Sequence, residues 1–129
     1  MANVKEVNLT DLHFEHKLWN NELSFFADET VIYEHRLEEL VRQPHEREML
    51  PQLEHFQNQF IRQKEVIDTL QHDINAYEHR LTLHAEANRE STEELFFKDH
   101  TELRERMESF RSIYTDLKKR FLQFMGRWM

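Results

Sequence analysis

The stretch that decides the fold is residues 53–84, LEHFQNQFIRQKEVIDTLQHDINAYEHRLTLH. Its apolar residues recur in alternating steps of three and four, the spacing that places side chains on one face of an α-helix. Residues 9–40 and 96–128 carry stripes with the same spacing. An apolar stripe of this length has to be buried, so the sequence predicts three long helices that pack against one another.

The composition supports an all-α chain and excludes several other classes. Among 129 residues there are one Gly, two Pro and no Cys, while 33% are charged and 39% are hydrophobic. A β-rich fold needs many turns and therefore more turn residues than this. Without cysteine, disulfides, thiol catalysis, thiolate zinc sites and iron–sulfur clusters are excluded. We expect one domain over residues 1–129, because this length suffices for a single continuous core.

Capping and helix-breaking residues predict where the three helices begin and end. Asn8 is suited to cap the first helix, and Pro44 disfavours its continuation. Ser91 opens a capping-box pattern for the third helix, which either ends at Gly126 or continues to Trp128. The predicted helices span about residues 9–43, 46–88 and 92–126.

Short connections between long helices require neighbouring helices to be antiparallel. The sequence therefore predicts an elongated up–down–up three-helix bundle, each helix about 50–60 Å long. A sustained heptad repeat further predicts left-handed coiled-coil packing. In outline this arrangement resembles a spectrin-type three-helix repeat, including a tryptophan (Trp19) in the core of the first helix. The resemblance concerns architecture and implies no function.

Histidines interrupt the buried stripes and form one candidate site. Of the nine histidines in the chain, His16, His84 and His100 occupy stripe positions, and the up–down–up order brings all three to one end, with His13 and His79 nearby. These five residues are the candidate ligands for a transition metal such as zinc or iron. No Glu-x-x-His pair of the di-iron bundles is present. The alternatives are hydrogen-bonded core histidines that set the helix register, and a pH-responsive core.

The first helix has a second apolar face, which is the candidate interface. Leu18, Phe25 and Ile32 recur every seven residues, and Phe14 extends the same line. On a helical wheel this line lies roughly 130° from the centre of the buried stripe. Either it is exposed and marks a partner interface, or the neighbouring helices wrap the first helix deeply enough to cover it.

The C-terminal end combines aromatic and basic residues. Phe121, Phe124 and Trp128 lie among Lys118, Lys119, Arg120 and Arg127. Such an end could contact a membrane surface or an acidic partner. The alternative, which we favour, is that the three aromatic residues continue the buried stripe and close that end of the bundle.

The sequence contains no combination of residues that predicts catalysis, because no nucleophile has a base and one glycine precludes a phosphate loop. The formal charge of −8 argues against nucleic acid as a partner. No apolar run is long enough to span a membrane, so we expect a cytoplasmic protein. The function predicted is non-enzymatic protein–protein interaction, including homo-oligomerisation and without a cofactor. The alternative is a metal-binding bundle with a histidine-rich site.

Overall fold

The computed structural model describes residues 9–87 and 89–128, and the side chains of residues 10–83 and 97–128. It contains three α-helices and no strand within those residues. The helices are α1 (Leu9–Arg42), α2 (Met49–Ala87) and α3 (Arg89–Trp128). Helix α2 contacts both α1 and α3. The predicted all-α three-helix bundle is confirmed.

The two prolines lie where their chemistry allows. Helix α1 ends at Arg42, two residues before Pro44, because proline restricts the residue before it to extended geometry. Pro51 lies in the first turn of α2, which begins at Met49. The missing N–H of proline has no cost there, since first-turn N–H groups lack partners within the helix.

The start of α3 differs from the predicted one, and its end matches the longer of the two predicted ends. The helix begins at Arg89 and therefore already includes Ser91, which is not its N-terminal cap. It continues past Gly126 and ends at Trp128, which is the later of the two ends predicted from the sequence. Asn8, the predicted cap of α1, lies outside the described residues.

Polar contacts between α1 and α2 define how these two helices run past each other. Along α1, His16 contacts Glu78, Ser24 accepts a hydrogen bond from Gln71, and Glu34 pairs with Lys64. The residue numbers fall along α2 as they rise along α1. This pairing is the one that an up–down–up order would produce.

An ion-pair ladder joins α1 to α3 with a constant offset of 89 residues. Its three rungs are Glu15–Arg104 at 2.8 Å, Glu22–Arg111 at 2.6 Å and Glu29–Lys118 at 3.0 Å. Acidic residues repeat every seven positions on α1, and basic residues repeat every seven positions on α3. The two helices are thus matched in steps of two turns.

The buried stripes form two hydrophobic clusters. One contains Trp19 and Phe110 near the N-terminal half of α1, and the other contains Phe60 and Phe121 near its C-terminal half. Trp19 is 4% exposed, Phe60 is completely buried and Phe110 is 2% exposed. Trp128 packs against the second cluster. The predicted closure of the C-terminal end by aromatic residues is therefore confirmed.

Two polar stripe residues, Thr30 and Gln63, are buried as well. The Thr30 hydroxyl donates a hydrogen bond to the carbonyl oxygen of Phe26, 2.8 Å away.

In the part of the chain that the structure describes, no helix combines the length and the apolar character needed to cross a bilayer.

Candidate functional site

The second apolar face of α1 points away from the rest of the bundle. Phe14 is 63% exposed, Leu18 49%, Phe25 59% and Ile32 57%. We refer to these four residues as the α1 stripe. Neither α2 nor α3 wraps over them, so deep burial of the first helix is not what the structure shows.

Helix geometry explains why the stripe is continuous. At 100° per residue, its four residues fall within about 40° of one line along α1. The residues that α1 buries, such as Trp19 and Leu23, lie on the far side of the helix. From Phe14 to Ile32 the stripe runs about 27 Å at 1.5 Å per residue. The result is a narrow line of exposed apolar side chains along α1.

The ion-pair ladder borders the stripe on the side of α3. Arg111 donates two hydrogen bonds to Glu22, at 2.6 and 2.8 Å, and this hydrogen bonding raises the pKa of the guanidinium. Glu29 accepts hydrogen bonds from both Tyr114 and Lys118. Because these carboxylates are paired within the bundle, the border of the stripe is fixed in position.

A buried chain of hydrogen bonds links the three helices at one end. Nε2 of His16 lies 2.9 Å from Nδ1 of His100. The other nitrogen of His16 lies 2.7 Å from Oε1 of Glu78, and the other nitrogen of His100 contacts Oε1 of Glu15. Both histidine side chains are only 1% exposed. The order along the chain is Glu78, His16, His100, Glu15.

Aromatic rings enclose this pair of imidazoles. The Trp19 ring stacks on His100, with centroids 5.0 Å apart and an interplanar angle of 19°. Tyr77 meets His16 edge-on at 4.9 Å. These contacts hold the orientation of both imidazoles and keep water from the central hydrogen bond.

The chain of hydrogen bonds fixes the number of protons that the pair can hold. If both carboxylates are ionised, His16 and His100 must each donate one N–H outward, to Glu78 and Glu15. The central contact then needs a third hydrogen, one more than two neutral imidazoles carry. A fourth hydrogen would turn both facing nitrogens, Nε2 of His16 and Nδ1 of His100, into donors. It would also place two positive charges side by side. The pair therefore accommodates at most one positive charge.

Burial and hydrogen bonding act in opposite directions on these groups. Burial lowers the pKa of His16 and of His100, although the carboxylates of Glu78 and Glu15 act against that shift. Partial burial would raise the pKa of Glu15, but hydrogen bonds from Arg104 and His100 lower it overall. The third hydrogen of the central contact is therefore taken up at a lower pH than an ordinary histidine would need, while the Glu15 carboxylate stays ionised.

The structure brings together three of the five histidines predicted as metal ligands. Nδ1 of His13 contacts Glu78, which also contacts His16. His79 is exposed, and the His84 side chain lies outside the described residues. Within the described part of the chain, no group of three or more His, Asp or Glu side chains is arranged to hold a metal ion.

Sequence reasoning missed the carboxylates that complete this cluster. Neither Glu78 nor Glu15 is among the residues that the sequence analysis predicts for a site. Both lie beside the predicted polar stripe positions once the helices are aligned. The signal that could have identified Glu15 is its place in the seven-residue series with Glu22 and Glu29.

Comparison with known proteins gave no guide to function: no family model, no curated protein and no solved structure matches the chain.

Proposed function

We propose that this protein is a non-enzymatic helical bundle that acts by protein–protein interaction through the α1 stripe, with a second copy of the chain as its partner. The observation that carries the proposal is the exposure of all four stripe residues, each close to half exposed or more. Single exposed apolar residues are ordinary, but a continuous line of them usually marks an interface.

A second copy is the simplest occupant, because a twofold dimer needs only one patch that matches itself. A specific dimer typically buries about 800 Å² on each partner. A stripe about 27 Å long on an exposed helix, together with its flanking side chains, is of suitable length for such a contact. Phe25 lies at its centre, where an aromatic anchor contributes most to affinity.

The supporting contacts make α1 a rigid platform for binding. The ladder on one side and the buried histidine chain beneath hold the helix against α3 and α2. A surface that is already ordered loses little conformational entropy on association.

The proposal includes the up–down–up order and left-handed packing predicted from the sequence. The cytoplasmic location and the exclusion of nucleic acid stay predictions.

Sedimentation velocity of the wild type and of Phe25→Glu tests the proposal. The wild type should be a dimer at tens of micromolar, and the variant should be a folded monomer, because residue 25 points to solvent. Leu122→Glu is the matched control, since Leu122 is 50% exposed on α3 and outside the stripe. This control should remain dimeric.

A monomeric wild type at these concentrations would refute self-association. A Phe25→Glu protein that stays dimeric would place the interface elsewhere on the bundle. Loss of helical circular dichroism in Phe25→Glu would show instead that Phe25 is needed for folding.

A further inference from the structure

Together with Arg36, the residues of the α1 stripe are spaced symmetrically about Phe25. Leu18 and Ile32 lie seven residues before and after it, while Phe14 and Arg36 lie eleven residues before and after it. At 100° per residue, all five positions fall within about 20° on either side of one line. An antiparallel helix placed over this line therefore meets the same set of positions in the reverse order.

We infer that two copies dock through α1 in antiparallel orientation about a twofold axis that passes beside Phe25. The inference rests on the proposed function and specifies its geometry. Phe25 of one copy meets Phe25 of the other, and Leu18 of each copy meets Ile32 of the other. The interface is then apolar through its centre, as the cores of stable interfaces are.

Charges at the two ends of the stripe favour the antiparallel orientation. The Phe14 end carries the exposed carboxylate of Asp11, and the opposite end carries the exposed guanidinium of Arg36, which also pairs with Glu39 of its own helix at 3.3 Å across the solvent-exposed surface. In the antiparallel dimer, Arg36 of each copy reaches Phe14 and Asp11 of the other, which provides cation–π and ionic attraction. In a parallel dimer, Arg36 would instead face Arg36.

The borders of the stripe fit the same orientation. Asn21 and Asp28 lie on the border away from α3 and are exposed, so an antiparallel twofold brings the Asn21 amide of one copy beside the Asp28 carboxylate of the other. On the border towards α3, Glu22 of one copy comes close to Glu29 of the other. Their repulsion is limited, because Arg111 and Lys118 already pair with these carboxylates.

Disulfide cross-linking tests the register directly, because the chain has no cysteine of its own. Phe25→Cys should cross-link to itself under a mild oxidant such as diamide. Leu18→Cys alone and Ile32→Cys alone should not, since identical thiols would be separated by about 21 Å along the helix. An equimolar mixture of Leu18→Cys and Ile32→Cys should give a mixed disulfide dimer. Both of these variants retain Phe25, so the central contact of the proposed interface is unchanged.

Each alternative result has a distinct meaning. Self-cross-linking of Leu18→Cys and of Ile32→Cys would show a parallel dimer and overturn the inference, although the proposed function would stand. A wild-type dimer in which none of these variants cross-links would overturn both the register and the use of this face. A wild-type monomer would refute the proposed function itself. Leu122→Cys is the exposed control and should remain uncross-linked.

Discussion

His16 and His100 meet in the interior of the bundle, Nε2 of the first lying 2.9 Å from Nδ1 of the second. One histidine belongs to α1 and the other to α3, so their contact joins these two helices in the interior of the bundle. The ion pairs between the same helices, by contrast, have partly exposed side chains. Because both rings are buried and each has a carboxylate partner, the state of ionisation of this pair is coupled to folding.

The bundle should lose stability as the pH falls below about 6.5, the ordinary histidine pKa. Burial lowers the pKa of His16 and His100 in the folded protein. Just below pH 6.5 the unfolded chain therefore binds more protons at these two residues than the folded chain does. Stability is then complete above pH 6.5 and decreases towards lower pH, by up to about 1.4 kcal/mol per pH unit for each proton. Urea unfolding between pH 7.5 and 5.5 measures this slope.

The double variant His16→Gln, His100→Gln should show a smaller slope, because glutamine can form hydrogen bonds but does not titrate. The exposed His55 and His72 provide the matched control, and replacing both with Gln should leave the slope as in the wild type. An unchanged slope in the first double variant would show that other groups cause the acid sensitivity.

Truncation of the large buried rings should be costly. Trp19→Ala, Phe60→Ala and Phe110→Ala should each reduce the free energy of unfolding by about 3–5 kcal/mol, since a void replaces a close-packed ring. Phe14→Ala removes an exposed ring and, measured on dilute protein, should cost less than about 1 kcal/mol. Losses below about 1 kcal/mol at all three buried positions would contradict the described core.

The Glu22–Arg111 rung should contribute a measurable interaction energy. A double-mutant cycle with Glu22→Ala and Arg111→Ala should give a coupling of about 0.5–1 kcal/mol, because two parallel hydrogen bonds form at a partly screened site. The exposed Arg62–Glu65 pair within α2 is the comparison and should give no more than about 0.5 kcal/mol. Equal couplings would mean that the rung acts as an ordinary surface pair.

Zinc or chelator should leave the unfolding midpoint unchanged. Both ring nitrogens of His16 and both of His100 already have hydrogen-bond partners, so a metal ion would have to break this chain of hydrogen bonds to reach a lone pair on either imidazole. Calorimetry of untagged protein with added zinc, and then with EDTA, measures this. A stoichiometric metal that is lost in the double variant His16→Gln, His100→Gln would restore the metal-binding hypothesis.

The helices could be predicted from the sequence because heptad spacing and proline act locally. The end of α1 at Arg42 follows from Pro44, and the exposure of Phe25 follows from its angle to the buried stripe. The start of α3 was misplaced: the helix begins at Arg89, because a cap pattern such as that of Ser91 is a local preference and does not by itself fix the first residue of a helix.

The contacts between helices could be predicted only in part. The sequence placed His16 and His100 at one end of the bundle, but a shift of one heptad moves a residue by about 10.5 Å along the axis. Periodic stripes are nearly unchanged by such a shift, so apolar spacing alone does not decide which residues touch. The contact therefore required the three-dimensional register.

The ladder between α1 and α3 is a repeating pattern, and a repeating pattern has more than one alignment. If α3 slipped by seven residues, Glu15 and Glu22 would still find basic partners, in Arg111 and Lys118, and His16 would face Met107. The histidine pair occurs once, so it distinguishes the native frame from its slipped neighbours. Insertion of two helical turns between His16 and Glu22 would accordingly separate His16 from His100, while Glu22 and Glu29 keep their partners Arg111 and Lys118.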